Sequence, residues 1–265
     1  MGKKFRLNSI EDFQKNKSNK ELVLIKDSCK NLILGDDNSG LIIYGTKNSG
    51  VSNTVHVILA NLLESYTDKE LELIVIDLEK GNELQPYELA RAQHLKHLIK
   101  EGDFVTLTKL INEMNSLVTR RNELLVKSGY TSFEQYREKE ELPRVVFLIK
   151  GLQEIANHCD NNALCRVVQS LKTLIKLGRA VGVHLVITCS EVYNQELQDM
   201  ISNVIVLKSS LSMSNRTLGA PTAENIRAGN YFTKTNGIAF DGIKRKIPLI
   251  EHNTIVSNCL RCSCK

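Results

Sequence analysis

Five short apolar runs punctuate the chain: "LIIY" at 41–44, "LELIVI" at 71–76, "RVVFLI" at 144–149, "VHLVIT" at 183–188 and "VIVL" at 204–207. Each is rich in β-branched residues and apolar nearly throughout. That pattern predicts strands of a sheet covered on both faces, since a strand with one wet face would alternate. Between the runs the period changes. Val55, Ile58, Leu59, Leu62 and Leu63 make one helical stripe within 53–66. Leu107, Leu110, Ile111, Met114, Leu117 and Val118 make a second within 105–125, and 163–178 carries a third that stops at Gly178, read as its C-terminal cap.

Strands alternating with helices predict an α/β fold with a mostly parallel sheet and helices on both faces. "GNYFTKTNGIAFDG" at 229–242 predicts a β-hairpin turning at Asn236-Gly237. Residues 79–103 predict a long loop with helical pieces. Residues 1–20 are polar and lysine-rich and read as a lead or linker, 21–253 as one domain, and 254–265 as a cysteine-bearing tail.

The 265 residues include 42% hydrophobic ones, enough for a sizeable core. The net charge of +5 is too mild to establish nucleic-acid binding. No apolar run approaches the roughly 20 residues that span a bilayer, so direct membrane insertion of this segment is not expected. Seven scattered cysteines without an export signal read as reduced thiols, and the expected location is cytoplasmic.

One short stretch carries candidate chemistry. "YGTKNSGVSN" at 44–53 follows an apolar run and precedes a helical stripe. Gly45 and Gly50 bracket four residues, Val51 follows, and Ser52 comes next. A phosphate loop has this spacing: glycines let backbone N–H groups close on the anion at a helix N-terminus. On its own the stretch reads more readily as an ordinary strand-to-helix turn.

Three further stretches decide between these readings. "RRNELLVKSGYTSFEQYREKEELPRVVFLI", "LIKLGRAVGVHLVITCSE" and "SNRTLGAPTAENIRAGNYF" follow in that order. Together with the loop, over about residues 20 to 250, they resemble the motor domain of the FtsK/SpoIIIE family of RecA-like P-loop ATPases. "LGRAVGVHLVIT" is the most specific part. The resemblance implies a RecA-like fold and an oligomeric ring, homomeric or heteromeric, related to DNA translocases, conjugative coupling proteins and type VII secretion ATPases. It implies double-stranded DNA or a protein substrate as partner, and a place at the inner face of the membrane within a larger anchored machine.

The same resemblance implies a degenerate catalytic set. Gly45, Thr46, Ser49, Gly50 and Ser52 match the family's Walker A loop. Lys47 and Asn48 complete the vestigial nucleotide-binding stretch, with Asn48 at a glycine position and Val51 at the lysine position. Where the Walker B strand ends in two acids, this chain has Lys150 and Gly151. At the sensor position it has Ser190, followed by Glu191. No catalytic residue is assigned, no metal site is expected, and no cofactor beyond weak ATP with Mg²⁺. Lys47 reads as a substitute cation or as a solvated lysine. Asp77 faces the ligand edge of the sheet or caps a turn. Arg179 and Arg216 match family arginines that face the site or the neighbouring subunit, with a structural salt bridge as the alternative.

Other candidates are weaker. Cys259, Cys262 and Cys264 with His252 have unusual spacing for zinc. His184 reads as a hydrogen-bonded core residue, Lys150 and Glu154 as a helical i, i+4 pair, and "GIKRKI" as a solvated hairpin edge. Two functions from different classes follow: a degenerate P-loop domain that is structural, regulatory or substrate-docking, and an active ATP-dependent DNA translocase with substituted residues.

Overall fold

The computed structural model describes residues 21–26, 31–35, 40–89, 94–157, 160–191, 194–201, 203–235, 240–250 and 255. A ribbon of β1 (Leu22–Ile25) and β2 (Leu32–Leu34) comes first, then β3 (Gly40–Tyr44), α1 (Val51–Ser65) and β4 (Leu71–Asp77). There follow α2 (Gln85–Leu89), β5 (Leu95–Ile99), α3 (Phe104–Lys127), α4 (Phe133–Arg137), β6 (Arg144–Lys150) and α5 (Asn161–Gly178). The last elements are β7 (Val183–Cys189), α6 (Gln195–Met200), β8 (Asn203–Val206), α7 (Leu211–Leu218), β9 (Asn230–Thr235) and β10 (Arg245–Lys246). All five apolar runs are strands, and all three helical stripes are helices.

The main sheet has the order β10-β9-β8-β3-β7-β6-β4-β5. From β8 to β5 every neighbouring pair is parallel, whereas β9 and β10 are added antiparallel. Alternate side chains of each strand enter opposite cores. Phe147 and Ile149 pack with Leu107, Ile111, Leu171 and Ile175 of α3 and α5. Val146 and Leu148 pack with Val55, Ile58 and Leu62 of α1 and with Leu22 and Leu34 of the ribbon. Each leucine or isoleucine so buried contributes roughly 1.5–3 kcal/mol. The ribbon is also sewn to α1 by polar groups: Asn61 donates to the Val23 carbonyl, and the Tyr66 hydroxyl accepts from Val23 N–H at 2.9 Å.

Three expectations are corrected. The segment 79–103 is not only loop and helix, because Leu95–Ile99 forms the edge strand β5. Its sequence, LKHLI, is too polar to read as a covered strand, and an edge strand need not be covered. Gly178 does not cap α5 in a left-handed conformation. It lies in the helix against the Val183 carbonyl, where a Cβ would stand 2.6 Å from the oxygen. The chain turns instead at Gly182, with φ +72°. Glu154 is not the acid partner of Lys150; three other acids are, as described below. The hairpin turn at Asn236-Gly237, the lead at 1–20 and the residues His252, Cys259, Cys262 and Cys264 lie outside the described residues, although β9 and β10 do pair antiparallel.

Two of the stretches that carry the family resemblance, "ELLVKSGYTSFEQY" and "LGRAVGVHLVIT", meet at the strand N-terminal edge of the sheet. Phe133, from "SGYTSFEQY", is fully buried. The guanidinium of Arg144 lies 4.9 Å from its ring centroid, and those of Arg137 and Arg121 lie at 5.7 and 5.8 Å. Arg144, itself fully buried, pairs with Glu134 and donates to His184 Nε2 at 2.9 Å. Arg121 donates to the Val181 carbonyl at 3.1 Å. Gly182, from "LGRAVG", faces the Phe133 ring so closely that a Cβ would collide with it. The expectation that His184 is a hydrogen-bonded core residue therefore holds.

This packing generates a double-mutant test in urea. Phe133→Ala should cost about 3–5 kcal/mol. Gly182→Ala should cost about 3 kcal/mol from left-handed strain and overpacking together. The double variant should lose clearly less than the two added, because the missing ring makes room for the new methyl. Additive losses would show that Gly182 does not serve the ring.

Candidate functional site: a loop, a helix N-terminus and a buried ammonium

β3 brings the chain to the strand C-terminal edge of the sheet, and α1 carries it back. The turn between them is fastened to both neighbouring strands. Gly45 N–H donates to the Cys189 carbonyl at 3.3 Å, and Thr46 donates to the Lys208 carbonyl through N–H at 2.9 Å and hydroxyl at 3.0 Å. Ser49 N–H closes the turn on the Thr46 carbonyl at 3.1 Å, and Gly229 N–H reaches the Ser49 carbonyl at 2.8 Å. A side chain on Gly45 would collide with Ser49 and Val51. Gly50 takes φ +111° and Asn48 takes φ +63°. Asn48 accepts this left-handed turn more readily than most residues would.

α3, α5 and α7 begin with side-chain caps from Asp103, Asp160 and Ser210, but α1 begins at Gly50 with none. The N–H groups of its first turn have no intrahelical acceptor, and the positive end of its dipole lies at the loop. The Ser49 side chain is buried, and among the described residues its hydroxyl has no hydrogen-bond partner. Lys47 and Asn48 are exposed at the tip, while Thr46, Val51 and Ser52 are half-buried. Asn53 clamps the returning chain, donating to the Pro248 carbonyl at 2.8 Å and accepting from Ile250 N–H at 3.1 Å.

The neighbouring strand ends carry the charge. Asp77 and Lys150 are register partners at the ends of β4 and β6. Lys150 is 2% exposed and Asp77 is fully buried. The Lys150 ammonium lies 3.2 Å from Asp77, 2.6 Å from Glu79 and 3.3 Å from Glu83. Asp77 also caps the turn after β4, accepting from Glu79 N–H at 2.9 Å. Both sequence readings of Asp77 are therefore realised in one residue. Gly151 follows with φ +79°, and a side chain there would collide with Glu79. Its N–H donates to the Thr188 hydroxyl at 2.9 Å.

Protonation follows from these contacts. Burial raises the Asp77 carboxyl above its ordinary value and outweighs the Lys150 charge. Burial alone would lower the Lys150 ammonium, but the Glu79 hydrogen bond and the charges of Asp77, Glu79 and Glu83 raise it. For Glu83, burial is outweighed by a hydrogen bond from Ser52 and by Lys150, and the carboxyl is held down. Glu83 thus joins the ammonium at the end of β6 to the first turn of α1.

Gln153 extends the network to the next strand. Its amide donates to Glu79 at 3.1 Å and accepts from Ser190 N–H at 3.2 Å. Glu191 is exposed. Sequence reasoning missed Glu79, Glu83 and Gln153. The one available signal was the acidic segment "DLEKGNEL" directly after a strand that ends at the ligand edge.

The two arginines are not brought together. Arg179 is exposed before β7, on the edge of the sheet opposite the loop, and Arg216 is exposed in the last turn of α7, which follows β8. A shallow groove of about 790 Å³ runs along α3 from Phe104 to Arg120, on the other face of the sheet from α1. Among the described residues, no group of three or more His, Cys, Asp or Glu is arranged to hold a metal ion, and no helix is long and apolar enough to cross a membrane.

A mostly parallel sheet covered on both faces, with a glycine-bracketed loop leading into an uncapped helix, defines a RecA-like P-loop domain. The FtsK/SpoIIIE family model matches residues 7–204, and the chain belongs to that family. It is 28% identical over 144 residues to the DNA translocase FtsK of Chlorobaculum tepidum, covering 52% of this chain and 18% of the translocase. It is 23% identical over 204 residues to the ESX-5 secretion system protein EccC5 of Mycobacterium tuberculosis, covering 70% of this chain and 14% of EccC5. The chain thus spans less than a fifth of either relative. Among solved structures, the pCW3 conjugation coupling protein TcpA, determined with ATPγS, has the same fold at TM-score 0.77 and 20% identity over 98% of this chain and 74% of TcpA. The cytoplasmic domain of the type VII secretion ATPase EccC from Thermomonospora curvata gives TM-score 0.72 and 18% identity over 96% of this chain and 32% of EccC.

Replacing Lys150 should be costly in a pH-dependent way. Lys150→Met strands Asp77 without its counter-ion and should destabilise the domain by about 3–5 kcal/mol at neutral pH. The folded-state pKa of Asp77, already above 3.8, then rises further. A raised carboxyl favours the protonated folded form, so the variant's deficit should grow as pH rises from about 4 through that folded pKa. Urea denaturation from pH 4 to pH 8 measures this; a deficit that does not change with pH would contradict the pairing.

Proposed function

We propose that this domain is a non-hydrolysing member of its family, serving as a structural, regulatory or substrate-docking subunit of a DNA-translocation or type VII secretion machine. The observation that carries the reading is the buried Lys150 ammonium among Asp77, Glu79 and Glu83. It stands at the strand end where the family places the acids that hold Mg²⁺. A metal ion and an ammonium repel, and the residues present do not fit a metal there.

Phosphoryl transfer depends on positioning and on stabilising developing charge. Losing one preorganised stabilising group costs about 3–4 kcal/mol in the barrier. Here Val51 replaces the phosphate-binding lysine, Lys150 and Gly151 replace both acids, and Ser190 replaces the sensor. Lys47, the nearest candidate substitute, is exposed at the loop tip. The preserved parts support a scaffold role instead: the fastened loop, the uncapped α1 and the motif-rich packing around Phe133. Assembly into a homomeric or heteromeric ring, with double-stranded DNA or a secreted protein as its cargo, follows from the family and belongs to this proposal. So does a position at the inner membrane face within a larger machine.

The test is ATP turnover by the purified chain with Mg²⁺, with and without duplex DNA. The expected rate stays at background, below roughly 10⁻³ of a competent family member. Turnover above background that disappears in Lys47→Ala would establish the alternative, an active DNA translocase with a substituted cation.

A further inference from the structure

The ion cluster touches every element that a nucleotide site would use. Asp77 and Lys150 end adjacent strands, Glu79 and Glu83 come from the turn after β4, and Ser52 is the second residue of α1. That turn is held against its own preference: Lys80 takes φ +56°, a left-handed conformation that costs an L-residue about 1–2 kcal/mol. Glu79 reaches the strand end only because residue 151 is glycine. Three carboxylates face one ammonium, so the cluster keeps an excess of negative charge. Its outermost carboxylate, Glu83, is partly exposed, 3.3 Å from the Lys150 ammonium, and lies beside Ser52 at the positive end of a 15-residue helix.

We propose that Lys150 and Glu83 are this chain's own replacement for a metal ion and a bound anion: the ammonium takes the cation seat among Asp77, Glu79 and Glu83, and the Glu83 carboxylate takes the anion seat at Ser52. The proposal rests on the non-hydrolysing reading above and deepens it, because it makes the domain closed without any ligand. In a nucleotide-dependent relative, a metal and a phosphate join the strand ends to the loop and helix. Here Asp77–Lys150–Glu83–Ser52 makes the same join through the chain's own side chains, with no ligand needed.

Two substitutions unmask the two seats. As folded around Lys150, the three carboxylates are not arranged to hold a metal ion; Lys150→Met removes the ammonium and leaves oxygens that can close on a hard divalent ion. Glu83→Gln removes the negative charge from the helix N-terminus but leaves Lys150 paired with Asp77 and Glu79, so the fold is retained. It should admit a small polyanion to the N–H groups of the first turn of α1 and to the Ser52 hydroxyl.

The experiment titrates wild type and both variants with Mn²⁺ and with pyrophosphate, following folding by circular dichroism. Lys150→Met should bind one Mn²⁺ at least roughly tenfold more tightly than wild type. Glu83→Gln should bind pyrophosphate at least roughly tenfold more tightly than wild type, since a carboxylate no longer repels it. A folded Lys150→Met with no gain in Mn²⁺ binding overturns the proposal, as does wild type that binds Mn²⁺ equally well. If Lys150→Met does not fold, Glu83→Gln decides: unchanged pyrophosphate affinity overturns it. ATP turnover by the wild type would sink the non-hydrolysing reading through a separate measurement, while the ion titrations still decide this one.

Discussion

Burial of both faces of a parallel sheet is the constraint from which the rest follows. With α1 and the ribbon on one face and α3 and α5 on the other, no strand side chain in the middle of the sheet meets water. Charge is therefore pushed to the two ends of the strands, and even there it must be paired, because an isolated buried ion is far too costly. Arg144 opens β6 and Lys150 closes it, both essentially inaccessible to solvent. Each is matched by acids from a neighbouring element: Glu134 for the first, and Asp77, Glu79 and Glu83 for the second.

The two edges divide the work. At the N-terminal edge, guanidinium groups stack on one phenylalanine ring, and a left-handed glycine admits that ring. The residues that look most diagnostic of the family gather there, on the side of the sheet away from the loop. Their physical task is to fix where β6 and β7 begin. At the C-terminal edge the strand ends, the loop and the first turn of α1 come within hydrogen-bonding reach of one another. Any chemistry of the fold belongs on that edge, since parallel strands all end there.

What stands on that edge is a matter of sign. Gly45, Gly50 and the uncapped helix make a backbone turn with the spacing of a phosphate loop, with a hydroxyl at Ser52. The side chains around it carry a cation at a strand end and a carboxylate at the helix. Each stabilises the other across the cleft, and the left-handed Lys80 turn is tolerated within that arrangement. Our proposal that the domain does not hydrolyse nucleotide rests on this placement of charge. The clamp of Pro248 and Ile250 by Asn53, on the same first turn of α1, adds a second internal fastening.

The linear sequence determined much of this protein. Five apolar runs became strands, three stripes became helices, and the loop at 45–52 stood where a strand hands over to a helix, because hydrophobic period and glycine spacing are local properties. Lys150 was legible as a cation at the end of a strand. Three things were not legible. Edge strand β5 hid behind its polar residues, since an edge strand has no need of a continuous apolar run. The left-handed turn falls at Gly182 and not at Gly178, because whether a helix-end glycine serves a turn or a close contact depends on what packs against it. The partners of Lys150 were decided only by the tertiary structure: Asp77, Glu79 and Glu83 lie some seventy residues away along the chain. Parallel pairing of β4 with β6 brings them to the ammonium, and a contact made by strand register is invisible to any reading that moves one residue at a time.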